Sequence, residues 1–228
     1  MRYSNYDELC LIVSEEAMTR YLDATNSDKD KAIILYYLNM KLCKELYELL
    51  GFFEHNLRTK IQNFYALQFS NPDWLYHNYQ KLNFFDFATK SQIEFSLAKM
   101  QEKHIRISSY TLISEMSFGF WRSLFNKANY AAGGKTLIKI FPNRPKGTPK
   151  ITINHSYIYN KLTTVNKLRN QIAHYEPLCF DKNTKSTQYA RSVYALIFEV
   201  FTWMNLDQHK FIDNLTEIET VLNEIDAL

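Results

Sequence analysis

Apolar residues recur along this chain three or four positions apart, the spacing of one helical face, with few glycines or prolines to interrupt them. From Tyr6 to Ala24, Leu9, Ile12, Val13 and Ala17 share one side and Glu15, Glu16 and Arg20 another, which predicts an amphipathic first helix. The polar run TNSDKD breaks it, and Ser27 or Asp28 is placed to cap the next helix. Lys29 to Phe69 has no proline and one glycine, so it predicts one long helix, or two joined at Gly51. SNPD, Ser70 to Asp73, predicts a turn, and DWLYHNYQKL a short aromatic helix. Phe84 to Ala88 reads as loop, and Ser91 to His104 as a helix with Ile93, Leu97 and Met100 inward. From Thr111, TLISEMSFGFWRSLFNKANY reads as a buried helix. Leu112, Ile113, Met116, Phe120 and Leu124 cover one side, and Gly119 admits a close neighbour.

The next stretch, Ala131 to Lys150, concentrates Gly, Pro and Lys around a short apolar element, Leu137 to Phe141, and predicts a flexible basic loop. A helix then starts near Ser156, its apolar stripe running through Val165, Leu168, Ile172 and Tyr175, and Pro177 ends it for want of an N–H. The Thr111 helix is expected to pack against it as core. Thr184 to Asn205 and Gln208 to Ala227 make two closing helices, rich in Tyr194, Ile197, Phe198, Phe201 and Trp203. The pattern is that of an all-α bundle, and 228 residues, with no repeat and no clear boundary, fit a single domain over 1–228.

Composition adds little to that picture: 16 Tyr and 16 Phe are spread along the chain as core material. Charge adds more. Between Met116 and Tyr175 there are ten basic residues and no acid, against seventeen basic and twenty-four acidic residues elsewhere. The ten include Arg122, Lys135, Lys139, Arg144, Lys146, Lys150, Lys161 and Lys167, and so one-sided a block suggests an anionic partner, with nucleic acid foremost. The competing explanation is a basic face neutralised by the acidic carboxy-terminus, Asp207 to Asp226. Cys10, Cys43 and Cys179 are far apart and form no C-x-x-C, so neither a disulfide scaffold nor a metal site is indicated, and no cofactor is expected. GGKT lacks the first glycine of a phosphate loop. The amino-terminus has no apolar signal core and no run reaches membrane-spanning length, which predicts a cytoplasmic protein without membrane partners.

The block ends in LRNQIAHYEP, Leu168 to Pro177. At about 100° per residue, Asn170 and His174 share one polar edge while Arg169 projects from the other side of the polar arc, so that Arg and His flank a groove without touching. A histidine can take or give a proton near neutrality, and a guanidinium can hold two phosphate oxygens in a fork. The structural alternative has Arg169 in a salt bridge and His174 capping the helix end.

The Arg169–His174 spacing, R-x4-H, is the signature of HEPN-type ribonucleases, and the longer string L-R-N-x-x-A-H-x-E-P resembles the Abi-like abortive-infection family (AbiD/AbiF type) within that superfamily. Two further patches carry the resemblance. One is the helix containing Tyr37, Asn39, Glu54 and Arg58, where Asn56 and Thr59 depart from the family wording; the other is the S-F-G stretch after Thr111. Glu54 and Arg58 are an i,i+4 pair, an ordinary helical salt bridge first and a secondary polar contribution to an RNA site second. The resemblance implies a HEPN-like helical bundle with additional helices, acting as a metal-independent endoribonuclease in antiviral abortive infection. Arg169, His174 and Asn170 would be its catalytic residues. It also implies a homodimer that joins two motifs in a composite site, and a toxin-like activity held in check by an inhibitor. Related toxins silenced by nucleotide transfer carry a tyrosine two positions after the histidine, where this chain has Glu176. The alternative reading is a non-catalytic protein that holds a small noncoding RNA on the same basic residues.

Overall fold

Ser14 divides the amino-terminal amphipathic stretch into two helices. In the computed structural model, which describes residues 5–81, 83–207 and 217–228, α1 spans Tyr6–Val13 and α2 spans Glu15–Ala24. Ser14 has φ 99°, and its hydroxyl accepts the Ala17 N–H to start the second helix. Asn5 and Glu8 close a capping box on the first. The break resets the helical phase. Tyr6, Leu9, Met18 and Tyr21 are buried, whereas Ile12, expected inside, is 76% exposed and Ala17 lies at the surface. Asp28 caps the next helix through the Lys31 N–H, and α3 then runs unbroken over Lys29–Gln68. Gly51 does not interrupt it.

Packing divides the described residues into two compact units: Met1–Gly51, Lys167–Phe198 and Gln208–Leu228 form the first, and Phe52–Asn166 with Glu199–Asp207 the second. Besides α1, α2 and the first part of α3, unit 1 holds the end of α9 (His155–Ala173), a two-stranded hairpin, the start of α10 (Gln188–Trp203), and α11 (Ile218–Ala227). Its core includes Leu35, Leu42, Leu46, Leu168, Val193, Ile197 and Leu222. The hairpin pairs β1 (Phe180–Asp181) with β2 (Thr184–Lys185), so Thr184 does not begin the closing helix as expected; that helix starts at Gln188. The second closing helix is present from Ile218, and the expectation for 208–216 falls outside the described residues.

Unit 2 contains α4 (Trp74–Tyr79), α5 (Phe87–Glu102), α6 (Ser109–Glu115), α7 (Phe118–Ser123), α8 (Lys127–Ala132) and a 3-10 turn at Leu137–Ile140. The single helix expected from Thr111 is three short ones. Met116 is extended, and Asn126 caps a new start by accepting the Asn129 N–H. Leu112, Ile113, Met116, Phe120 and Leu124 are nevertheless all buried, because the breaks preserve which side faces inward. The contacts of this stretch with α9 lie at that helix's first turns, where His155 Nδ1 meets the Phe125 carbonyl and Arg122 lies over Tyr159. Gly119 is not a point of close approach, since a Cβ there would meet Ser117 Oγ at an ordinary 3.5 Å. Gly133 is: a Cβ there would collide with the Tyr65 hydroxyl. The basic loop is fastened at its start, where the Asn143 N–H reaches the Trp203 carbonyl and Arg144 donates to the carbonyls of Ile138 and Phe141. Among the described residues no helix is long and apolar enough to cross a membrane.

Asp86 starts α5 four residues earlier than its apolar pattern suggests, because its carboxylate accepts the Thr89 N–H. Buried Asn129 ties this cap to the core, accepting the Asp86 N–H and donating to Thr89 Oγ1 and the Ser123 carbonyl. Burial by itself raises the pKa of Asp86, but hydrogen bonds from Thr89, Asn126 and Asn129 outweigh it and hold the carboxyl below its usual value. A lowered folded pKa contributes stability that is complete above the unfolded value, about 3.9, and lost as pH falls through the folded one. Asn129→Ala should therefore cost about 1–3 kcal/mol by stranding buried partners. Asp86→Asn should be less stable than wild type at neutral pH, with the difference shrinking in acid. Urea midpoints from about pH 7 to about pH 2 measure both; an unchanged gap at low pH would remove Asp86 from the account.

Candidate functional site

Helix α9 opens with Asn154 accepting the Tyr157 N–H and buries Ile158, Leu162, Val165 and Leu168 along one side. Its end is set by backbone geometry. Tyr175 is left-handed at φ 59°, its N–H bonds the Ile172 carbonyl at 3.1 Å, and the Glu176 N–H bonds the Gln171 carbonyl at 2.9 Å. These are the two bonds of a Schellman closure. The helix thus stops at Ala173, before Pro177 can act, and His174 is the capping residue. Tyr175, expected to continue the apolar stripe, is 84% exposed. A non-glycine residue in this conformation costs on the order of 1–2 kcal/mol, so the surroundings must hold it there.

The clamp is Asn39. Only 3% exposed on α3, its side-chain oxygen accepts the Leu178 N–H at 2.8 Å and fixes the chain just past the motif. Arg20 adds a second hold. Expected on the polar side of the first helix, its guanidinium instead lies 4.4 Å over the Phe180 ring and donates to the Lys182 carbonyl. Sequence reasoning placed Asn39 in a family pattern without seeing its role, though a lone amide in an apolar stretch of helix was a usable signal. Nothing local marked Arg20.

Between these holds, Arg169 is half-buried, and Asn170 and His174 are exposed. Among the described residues none of the three side chains has an ion-pair or hydrogen-bond partner. The His174 backbone N–H is shared between the Asn170 carbonyl at 3.0 Å and the Gln171 carbonyl at 3.2 Å. Among the described residues, then, Arg169 bridges to no acid and the His174 ring caps nothing. Alongside, Asn39, Met40, Cys43, Tyr47, Ile172 and Tyr175 line a groove of about 210 Å³ with Tyr47 57% exposed. Burial pushes the thiols of Cys43 and Cys179 up to about 11 and about 12, so neither is a nucleophile near neutral pH.

The basic candidates sort into two kinds. Lys135, Lys139, Lys146 and Lys150 in unit 2, and Lys167 in unit 1, are exposed and without ion pairs among the described residues. Three others serve the fold of unit 2. Lys161 bonds Glu199 at 2.6 Å and lies over Tyr157 and Trp203, Arg144 is spent on carbonyls, and half-buried Arg122 lies 5.2 Å over Tyr159. Glu54 and Arg58 satisfy each other at 3.1 Å, the ordinary helical pair. The acidic carboxy-terminus does not neutralise the block through Glu217 or Asp226, which pair with Lys41 and Arg191.

A family model described as Abi-like protein matches residues 2–179, a span that takes in the Arg169–His174 motif and the Asn39 clamp. No curated protein and no solved structure is significantly similar to the chain.

Proposed function

The chain belongs to the Abi-like family, and from that premise we propose that it acts in abortive-infection defence as a metal-independent endoribonuclease of the HEPN type. The observation that supports this reading is that Arg169 and His174, a cation and an imidazole held at a clamped helix end, have no ion-pair or side-chain hydrogen-bond partner among the described residues. In the reaction, the ribose 2′-oxygen bonds to the adjacent phosphorus and the bond to the 5′-oxygen breaks. The 2′-hydroxyl proton goes to a base, and the leaving oxygen receives a proton from an acid. His174 suits either proton transfer, and the Arg169 fork suits the non-bridging oxygens on which charge grows. Asn170, beside Arg169, orients the phosphate or the ring.

Cleavage requires the 2′-hydroxyl, so RNA is cut and DNA is not. His174→Ala should lower the rate by about 10²- to 10⁴-fold, leaving RNA affinity and thermal stability nearly unchanged, because the exposed ring has no hydrogen-bond partner among the described residues. Arg169→Ala should lose both cleavage and affinity. Products should end in a 2′,3′-cyclic phosphate and form in EDTA. Undiminished cleavage by His174→Ala would defeat the mechanism.

RNA binding rests on the unpaired cations. Replacing Lys135, Lys139, Lys146 and Lys150 with Gln should weaken binding, and each lost phosphate contact should flatten the salt slope by about 0.7. Lys161→Gln should lower stability instead, having a partner to lose. Anisotropy titrations across salt concentrations read the slopes; an unchanged slope would move the RNA surface elsewhere. Wild-type binding without cleavage, with His174→Ala silent, is the signature of the alternative reading, a holder of noncoding RNA.

One chain supplies one Arg and one His, whereas the reaction moves two protons. A second copy meeting the first across the apolar groove, with Tyr47 and Tyr175 exposed beside the motif, would supply the other pair through an isologous contact. Tyr47→Asp should convert a dimer to a monomer by light scattering and abolish cleavage. A monomeric wild type with full activity would rule this assembly out.

A further inference from the structure

Neither the helix closure nor the core accounts for the side chain of Tyr175. The residue follows His174 directly, is left-handed at φ 59° and is 84% exposed. Glycine adopts that conformation without strain and is the usual residue where a helix closes this way. The other non-glycine residues of positive φ among the described residues are Ser, Asn, His and Lys, and Tyr175 alone among them carries an apolar ring. The closure makes no use of that ring. The side-chain contact that often accompanies a Schellman closure joins the residues at its two ends, here Gln171 and Glu176, and both are polar. Nor does the ring have a hydrogen bond or an aromatic partner among the described residues. A large ring kept in water, on a backbone that costs stability, is a feature of functional sites.

We propose that the Tyr175 ring stacks on a base of single-stranded RNA, the one next to the phosphate held by Arg169 and His174. The proposal rests on the cleavage reading above and adds how the substrate is held. Every base has a π face, so stacking on an aromatic ring holds a nucleotide without reading its identity. Bases in a duplex are already stacked on one another, so the contact also favours unpaired RNA. Position agrees with the chemistry. Tyr175 and His174 have Cα atoms about 3.8 Å apart, and a base is tied to its own phosphate through one ribose. A phosphate at His174 therefore brings an adjoining base within reach of the ring. Glu176, the acid that follows, lines a different hollow with Arg20, Lys182 and Tyr189, whereas Tyr175 borders the groove with Ile172 and Lys44.

The test compares Tyr175→Gly, which keeps the left-handed turn and removes only the ring, with Tyr175→Trp. Thermal melts should place Tyr175→Gly at or above wild type, since the strain leaves with the side chain. A midpoint clearly below wild type would give the ring a role in the fold and overturn the proposal. Cleavage sites are mapped on single-stranded RNA. An oligonucleotide spanning one site is then made with its reacting 2′-hydroxyl replaced by hydrogen, so that it stays intact. Anisotropy measures binding to it and to versions lacking one base at a time. Tyr175→Gly should weaken binding by about 5- to 150-fold, the worth of one base stacked on one ring, and Tyr175→Trp should retain it. Removing one base beside the scissile phosphate should cost wild type as much and cost Tyr175→Gly nothing further, while removal elsewhere costs both proteins equally. Costs that add at every position, or unchanged affinity in Tyr175→Gly, overturn the stacking and leave cleavage standing. Tyr175 also borders the groove assigned above to a second copy. A dimeric wild type turned monomeric by Tyr175→Gly in light scattering would make the ring a contact between copies, and the stacking falls. Should wild type bind RNA without cutting it, the cleavage reading falls separately, and the same base-removal cycle on unmodified RNA decides the stacking. Absence of RNA binding overturns both.

Discussion

One buried hydrogen bond, from the Leu178 N–H to Asn39, sets the conditions for everything at the end of α9. The chain leaves that helix through a left-handed tyrosine, a conformation that relaxes unless its far side is fixed. Asn39 fixes it from the interior of α3, where a backbone N–H without a partner would cost about 1–3 kcal/mol, more than the bond contributes in net terms. Arg20 and Phe180 repeat the hold two residues further on. With both ends anchored, Arg169, Asn170 and His174 hold their places with no side-chain ion pair or hydrogen bond among the described residues. Their freedom is a product of restraint elsewhere in unit 1.

The same separation of labour runs through the basic residues. A block of ten cations without an acid is costly to fold around, and the chain resolves part of it internally. Lys161 finds Glu199 and two aromatic rings, Arg144 finds carbonyls, and Arg122 lies over Tyr159. Among the described residues, the exposed lysines of the 135–150 stretch and Lys167 have no ion pair. In solution such charges interact with each other weakly, but they concentrate a polyanion effectively.

Aromatic side chains divide likewise. Phe53, Trp74, Trp121 and Phe201 are interior, with Phe53 and Phe201 edge to face at 5.2 Å. Tyr47 and Tyr175 remain at the surface beside the motif, where an amphipathic ring is tolerated in water and available to a partner. Core and surface aromatics have the same composition; only position distinguishes them.

Periodicity and capping chemistry were sufficient to read the helical class, the inward faces of α5 and of the stretch from Thr111, and the Arg169–His174 string from the sequence, and they left α3 as one helix or two joined at Gly51. These depend on neighbours within one turn. Where periodicity failed, it failed on continuity: burial every three or four residues survives a short break, so Tyr6–Ala24 and the stretch from Thr111 looked like single helices although Ser14 and Asn126 restart them. Other features had no local cause. The Asn39 clamp joins residues 139 positions apart, Arg20 reaches a carbonyl 162 positions away, and Lys161 is neutralised from 38 positions downstream. Whether a histidine or an arginine is spent on the fold or left free depends on which acids and carbonyls the chain brings to it. That is settled by long-range packing, and only the tertiary structure decided it.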